Sequence, residues 1–157
     1  TLLQSILGAH SEIFAIPKET YAFYPMPFRL SRLYNSIRFS ENQNRWCEKT
    51  PKNVCVFSEI YDLFSGNVKI INIVRDGRAV VTSKHPTNPD IYWVPIERWI
   101  EDTKFGLNFK NCLTVKYENL VVNPVDTIKE ICKYIEVNFE NDLLSYQRVT
   151  NIKDSYA

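Results

Sequence analysis

One apolar run limits what this chain can fold into more than any other feature of its sequence. Residues 69–74, KIINIV, show almost no polar alternation, which is typical of a strand buried on both faces of a parallel sheet. The run stops at Arg75 and Asp76. The apolar pair Val80–Val81 then predicts a short helix that starts at about Arg78. Because α/β proteins bind ligands beyond the carboxyl ends of their strands, this strand end is a candidate ligand site.

Short apolar runs alternate with helical periods along the rest of the chain. Strands are predicted within residues 12–17 and 112–120, and an extended piece within residues 45–53. Helices are predicted within residues 1–10, 26–40, 53–64, 95–107, 124–135 and 140–147. Because strands that alternate with helices form βαβ units, the sequence predicts an α/β fold, with a parallel β-sheet flanked by helices on both faces.

Length and composition predict a single domain over residues 1–157. Hydrophobic residues make up 45% of the chain, which allows one sizeable core. The net charge of +1 argues against a nucleic-acid partner, and no apolar run approaches the ~20 residues of a membrane span. Asparagine is frequent, yet no N-x-S/T sequon is present, which weakly favours a cytoplasmic location. A location in the Golgi lumen would require a membrane anchor upstream.

The cysteines and histidines lack the spacing of metal ligands. His10 and His85 have no partners at ligand or triad spacing, so we assign them no chemistry and predict no metal site. The four cysteines lie in apolar elements, where buried thiols are the usual outcome. They are Cys47, Cys55, Cys112 and Cys132.

Arg75 and Ser83 are the first candidate site residues. If a helix starts near Arg78, Ser83 lies about one and a half turns into it, and its hydroxyl could approach the guanidinium of Arg75. A guanidinium and a hydroxyl that converge at a helix N-terminus suit a phosphate. The alternative is a salt-bridged arginine and a serine on the helix surface.

Three further residues lie at or just after the ends of predicted strands, and Tyr117 is predicted to end its strand. Lys49, in CEKTP, could neutralise charge that develops on a leaving oxygen, and Glu19, in IPKETY, could act as a general base. Tyr117, in VKYENL, could stack on a base or bond a phosphate. The alternatives are a solvated lysine, a solvated or capping carboxylate, and a core tyrosine.

Taken in order, these segments resemble the sulfotransferases that use 3′-phosphoadenosine 5′-phosphosulfate (PAPS). CEKTPKN is similar to that family's lysine motif, and NIVRDGRAVVTS to its 3′-phosphate motif. TLLQSILGAHSEI looks like the helix behind its phosphosulfate loop, and VKYENLVVNPVDTIKEICKYIEV like its Y-E-x-L-x-x-x-P segment. The resemblance is nearest to the bacterial-type and tyrosylprotein sulfotransferases and implies a P-loop NTPase-like fold.

The resemblance implies a role for each candidate residue. Arg75 and Ser83 match the residues that hold the 3′-phosphate, and Tyr117 matches a tyrosine beside the nucleotide. Lys49 matches the lysine on the transferring sulfuryl group and leaving oxygen. Glu19 falls near the glutamate that tyrosylprotein sulfotransferases use as base, after a one-residue shift. Thr1 matches the last threonine of the phosphate loop. Gly77 stands where many members have proline.

The front of the family pattern is missing. The first strand and the arginine, serine, glycine and first threonine of the phosphate loop do not precede Thr1, so we expect a chain that is incomplete at the N-terminus and short at the C-terminus. The expected reaction moves a sulfuryl group from PAPS to the hydroxyl of a small molecule, carbohydrate or peptide, leaves 3′,5′-ADP and needs no metal. The alternatives are a P-loop kinase or NTP-binding protein, and a non-catalytic binding module.

Overall fold

Contacts divide the chain into two compact units. The computed structural model describes residues 2–85 and 87–152. The first unit combines residues 2–53 with residues 136–152, and the second unit comprises residues 54–135. The first unit is therefore built from two stretches that are far apart in the sequence.

Helices and short strands alternate along the chain, as the sequence predicts. The helices are α1 (Leu2–Leu7), α2 (Leu30–Tyr34), α3 (Phe57–Leu63), α4 (Gly77–Val81), α5 (Ile96–Asn108), α6 (Tyr117–Val122), α7 (Pro124–Ile135) and α8 (Tyr146–Val149). The strands are β1 (Ile13–Ala15), β2 (Arg45–Cys47), β3 (Ile70–Val74), β4 (Lys84–His85), β5 (Asn88–Tyr92) and β6 (Cys112–Lys116). Short 3₁₀ helices cover Pro51–Val56 and Asn141–Ser145.

In the first unit, β1 and β2 form a parallel pair, with Ala15 opposite Cys47. The side-chain amide of Asn151 binds β1 as a neighbouring strand would, because its Oδ1 accepts the N–H of Ala15 and its Nδ2 donates to the carbonyl of Ala15. The unit's buried side chains include Ile6, Ile13, Ile16, Phe23, Leu33 and Leu143. The distant stretch of chain thus completes the edge of a very short sheet.

In the second unit, β3 and β6 form a parallel pair whose register runs from Ile70 opposite Cys112 to Val74 opposite Lys116. Helix α5 approaches β3 closely at Gly106, where an added Cβ would lie only 2.5 Å from Nδ2 of the buried Asn72. Helix α7 buries the side chains at the spacing predicted from the sequence. They are Ile128, Ile131, Cys132 and Ile135.

The structure shows a mixed α/β fold, but its parallel strands form separate pairs. The described strands lie in three two-stranded sheets, and the third sheet is an antiparallel hairpin of β4 and β5 that the sequence did not predict. Strand β3 is not buried on both faces, because Ile73 is 39% exposed. Among the described strands, β6 alone pairs with β3.

The cysteine side chains are less buried than the sequence predicts. All four cysteines are thiols, but only Cys132 is buried, and the other three are half-buried. Burial and the nearby Glu48 raise the pKa of the Cys47 thiol to about 12, so this cysteine stays protonated at neutral pH. None of the described helices combines the length and the apolar character needed to cross a bilayer.

Candidate functional site

Two of the predicted site residues form an ion pair in the first unit. Because β1 and β2 are parallel, the segments that leave their carboxyl ends emerge side by side, and they carry Glu19 and Lys49. The ammonium Nζ of Lys49 donates to Oε1 of Glu19 at 2.5 Å. Each side chain is 28% exposed, so both groups remain accessible to a bound molecule.

The ion pair fixes the protonation state of Glu19. Burial raises the pKa of this carboxyl, but hydrogen bonds from Lys49 and Tyr21, together with the charge of Lys49, bring the pKa below its usual value of 4.5. Glu19 is therefore a carboxylate at neutral pH, and it is a weak proton acceptor as long as the ammonium is bound. Removal of the lysine from this pair would make the carboxylate more basic.

Sequence reasoning missed two neighbours of this ion pair. Nothing in the sequence pointed to Tyr21 as a partner of this pair, but its side chain donates a hydrogen bond to Glu19. Tyr21 has a φ of 50°, an uncommon left-handed conformation for a residue with a side chain. The second neighbour is Glu48, which sits between β2 and Lys49 and binds both segments. Its position directly before Lys49 was the only signal in the sequence.

A second pair of predicted residues meets in the second unit. Since Val74 is opposite Lys116, the next residues along each strand are Arg75 and Tyr117, and they emerge side by side. The guanidinium carbon of Arg75 lies 4.6 Å from the centre of the Tyr117 ring, within the range of a cation–π contact. Among residues 2–85 and 87–152, the guanidinium makes no hydrogen bond or salt bridge, so its donors are available to an anion.

The turn after Arg75 is held by two carboxylates. Oε1 of Glu118 accepts the N–H of Asp76 at 2.9 Å, and this hydrogen bond lowers the pKa of Glu118. Asp76 caps α4 by accepting the N–H of Arg78 at 2.8 Å, and its ion pair with the Arg78 side chain brings the Asp76 pKa to about 2. Both carboxylates are thus fully ionised at neutral pH and hold the turn that presents Arg75.

Gly77 has a packing role that the sequence did not reveal. It opens α4, and an added Cβ would lie 2.7 Å from the ring of Trp99 on α5. No side chain fits between the helix and this ring without a shift of one of them. The close approach explains why this chain has glycine at a position where the family that it resembles often has proline.

The predicted placement of Ser83 within a helix is wrong. Helix α4 ends at Val81, because Thr82 closes it and the chain turns into β4. The Ser83 hydroxyl donates to the carbonyl of Val80 at 2.5 Å, and its own carbonyl accepts the N–H of Trp93 at 3.0 Å. Ser83 therefore lies at the base of the β4–β5 hairpin, and in the part of the chain that the structure describes no hydrogen bond joins it to Arg75.

The remaining predictions concern Tyr117, Thr1 and the two histidines. Tyr117 does not end a strand but opens α6, since β6 stops at Lys116. Thr1 lies outside the described residues. His10 is buried and bonds the carbonyl of Asn138 through Nε2 at 2.9 Å, and the His85 ring stacks on Trp93. The described residues contain no group of three or more histidine, cysteine, aspartate or glutamate side chains that could hold a metal ion.

The arrangement defines an α/β protein with an arginine against a tyrosine ring at the ends of one strand pair and a carboxylate–ammonium pair at the ends of another. A model of the sulfotransferase family matches residues 28–141, which is well over half of the chain. This chain therefore belongs to the sulfotransferase family.

Two curated relatives agree with the family match. The chain is 26% identical over 127 residues to a protein-tyrosine sulfotransferase of Drosophila melanogaster, in a match that covers 73% of this chain and 25% of the relative. It is 25% identical over 118 residues to protein-tyrosine sulfotransferase A of Caenorhabditis elegans, covering 67% of this chain and 31% of the relative. The chain thus spans a quarter to a third of the length of these two relatives.

Proposed function

We propose that this protein is a PAPS-dependent sulfotransferase and that residues 1–157 belong to its catalytic domain. The observation that carries the proposal is the ion pair of Glu19 and Lys49 at the carboxyl ends of two parallel strands, in a chain of the sulfotransferase family. A carboxylate can accept the proton of the attacking hydroxyl, and an ammonium beside it can stabilise the negative charge that develops on the leaving oxygen.

In the proposed reaction, the acceptor hydroxyl attacks sulfur in line. A new S–O bond forms to the acceptor oxygen, and the S–O bond to the 5′-phosphate of the donor breaks, so that 3′,5′-ADP leaves. Glu19 takes the hydroxyl proton. Lys49 stabilises the negative charge that develops on the bridging oxygen.

The pairing of the two residues gives them an order of action. In the structure, Lys49 bonds Glu19 and keeps the pKa of this carboxyl low. When a donor sulfate draws the ammonium away, Glu19 loses its strongest partner and becomes a better base. The carboxylate would therefore reach its full basicity only when the sulfuryl donor is bound.

The second cluster fits the nucleotide part of the donor. The donors of Arg75 are uncommitted among the described residues, and the ring of Tyr117 holds the guanidinium from one side. We assign the 3′-phosphate to Arg75 because a guanidinium binds two phosphate oxygens at once. Ser83 would be its second donor once its hydroxyl turns from the Val80 carbonyl. The other face of the Tyr117 ring would be available to the nucleotide.

Peptide tyrosine is the proposed acceptor. Two relatives are described as protein-tyrosine sulfotransferases, and both match more than half of this chain. A phenol is an acceptor that a carboxylate can deprotonate during the transfer, since its pKa of about 10 is well below that of an alcohol. Carbohydrate and small-molecule hydroxyls are the acceptors that a test must include beside it.

The test is a transfer assay with sulfur-labelled PAPS and the complete gene product. The acceptors are a tyrosine peptide, its phenylalanine analogue, a carbohydrate panel and small phenols. We expect label on the tyrosine peptide and none on the analogue. Label on carbohydrate alone would keep the enzyme class and overturn the acceptor. Transfer of the γ-phosphoryl group from ATP, with no transfer from PAPS, would overturn the function.

A further inference from the structure

Glu48 joins the two segments that carry the candidate catalytic pair. Its Oε1 accepts the N–H of Thr20 at 3.3 Å and the hydroxyls of Thr20 and Thr50 at 2.9 and 2.5 Å. Its Oε2 accepts the Nδ2 of Asn53 at 2.6 Å. One carboxylate thus accepts four hydrogen bonds, and the donors lie on both the segment that follows β1 and the segment that follows β2.

The partners of Glu48 are the immediate neighbours of the ion pair. Thr20 follows Glu19 and Thr50 follows Lys49, and both threonines are buried. The Thr50 hydroxyl, which donates to Glu48, also accepts the N–H of Tyr21 at 3.3 Å. The Thr50 hydroxyl thus links Glu48 to Tyr21, which donates a hydrogen bond to Glu19 and has a positive φ. A shift of Glu48 would therefore move the segments on which both members of the ion pair lie.

We propose that Glu48 is a positioning residue, which sets the separation of Glu19 and Lys49 and thereby the rate of sulfuryl transfer. This inference rests on the proposed function. The contacts suit a carboxylate, which offers acceptors only and here accepts from four donors. The Oδ1 of Asn53 is buried and has no hydrogen-bond partner among the described residues, so Glu48 is the group that holds the Asn53 amide.

The main test is Glu48→Gln in the complete gene product. Glutamine has nearly the same shape, but it lacks the negative charge that strengthens the four hydrogen bonds of the carboxylate. We expect kcat to fall by about 10- to 100-fold while KM for PAPS stays within about threefold, because the nucleotide contacts are left intact. Glu41→Gln is the matched control, since Glu41 is exposed in the same unit, and it should leave both constants unchanged.

A second measurement does not depend on activity. The carboxyl carbon of Glu19 is followed by NMR during a pH titration, after assignment with Glu19→Gln. In Glu48→Gln we expect the Glu19 pKa to rise towards its usual value, because the ion pair with Lys49 loosens. A role of Glu48 confined to overall stability would leave this titration unchanged in the folded variant.

A pair of variants at Thr50 covers the case in which Glu48→Gln does not fold. Thr50→Val keeps the shape and loses both hydrogen bonds of the hydroxyl, whereas Thr50→Ser keeps them. We expect Thr50→Val to lower kcat and raise the Glu19 pKa. We expect Thr50→Ser to leave kcat and the Glu19 pKa close to their wild-type values. Unchanged titrations in Glu48→Gln or Thr50→Val would overturn the inference. A wild-type protein without sulfate transfer would overturn the proposed function, while the titration would still test Glu48.

Discussion

Lys49 and Glu19 form an ion pair in the structure, and each changes the electrostatic state of the other. The lysine lowers the pKa of the carboxyl, and the carboxylate neutralises the charge of the lysine. Sequence reasoning selected both residues, since each follows an extended run. It could not predict their contact, because they lie 30 positions apart and only the parallel pairing of β1 and β2 brings them together.

Lys49 is expected to act on the transition state more than on binding. We predict that Lys49→Ala lowers kcat by about 100-fold or more and changes the Kd for 3′,5′-ADP by less than about threefold, because its charge matters most when the leaving oxygen becomes negative. Single-turnover kinetics and calorimetric titration measure the two effects. Lys110→Ala, an exposed lysine of the second unit, is the control. A loss of affinity with intact turnover would make Lys49 a binding residue only.

Arg75 is expected to provide most of the affinity for the 3′-phosphate. We predict that Arg75→Ala weakens 3′,5′-ADP binding by about 10- to 100-fold, because a charge-assisted hydrogen bond is lost. Ser83→Ala should weaken it by about fivefold, since a neutral hydroxyl contributes less. Arg78→Ala is the control, because the Arg78 side chain is 91% exposed and its guanidinium already bonds Asp76. Equal losses at Arg75 and Arg78 would show a general effect of positive charge instead of a defined phosphate site.

At the scale of elements, the sequence predicted the bounds of α7 but not the end of α4. Helix α7 begins and ends where the sequence indicates, because Pro124 suits a first turn and the apolar spacing persists to Ile135. Helix α4 ends earlier than predicted. Its two valines suggested a longer helix, whereas Thr82 and the β4–β5 hairpin stop it. That hairpin escaped prediction because its exposed residues show no apolar alternation.

The buried face of α7 gives a direct test of the second unit's core. We predict that Ile131→Ala lowers the free energy of unfolding by about 2 to 4 kcal/mol, because the side chain is 0% exposed and its removal leaves a cavity. Val125→Ala, on the same helix and 38% exposed, should cost less than about 1 kcal/mol. Urea unfolding followed by circular dichroism measures both values. Similar costs at the two positions would contradict the assigned orientation of α7.

At the scale of the whole molecule, the sequence predicted a mixed α/β fold and the family, but not the separate strand pairs or the way in which the chain builds its units. The first unit needs residues 136–152 beside the start of the chain, through contacts such as those of Glu140 with Ser11. Polar contacts over 129 positions leave no periodic signal in a sequence, since they depend on how the chain returns. The family motifs were recognised because each is local.

These contacts predict a pH-dependent stability. Burial raises the pKa of Glu140, but hydrogen bonds from Ser11 outweigh it and leave the pKa below its usual value of 4.5. A carboxyl whose pKa is lower in the folded state stabilises the fold above pH 4.5, and this contribution disappears as the pH falls through the folded-state pKa. Glu140→Gln should therefore cost roughly 1 kcal/mol at pH 7 and much less at pH 3. Urea unfolding at both pH values measures this difference, with Glu41→Gln as control. An equal cost at both would refute the role of the ionised carboxylate.

The central claim is that the complete protein moves a sulfuryl group from PAPS to a hydroxyl. The most direct measurement follows labelled sulfate and 3′,5′-ADP together, in a single reaction with a tyrosine peptide and the acceptor panel. We predict one 3′,5′-ADP released for each sulfate ester formed, and loss of both products in Lys49→Ala. A protein that binds 3′,5′-ADP but forms no sulfate ester on any acceptor would be a binding module, and that result would contradict the account.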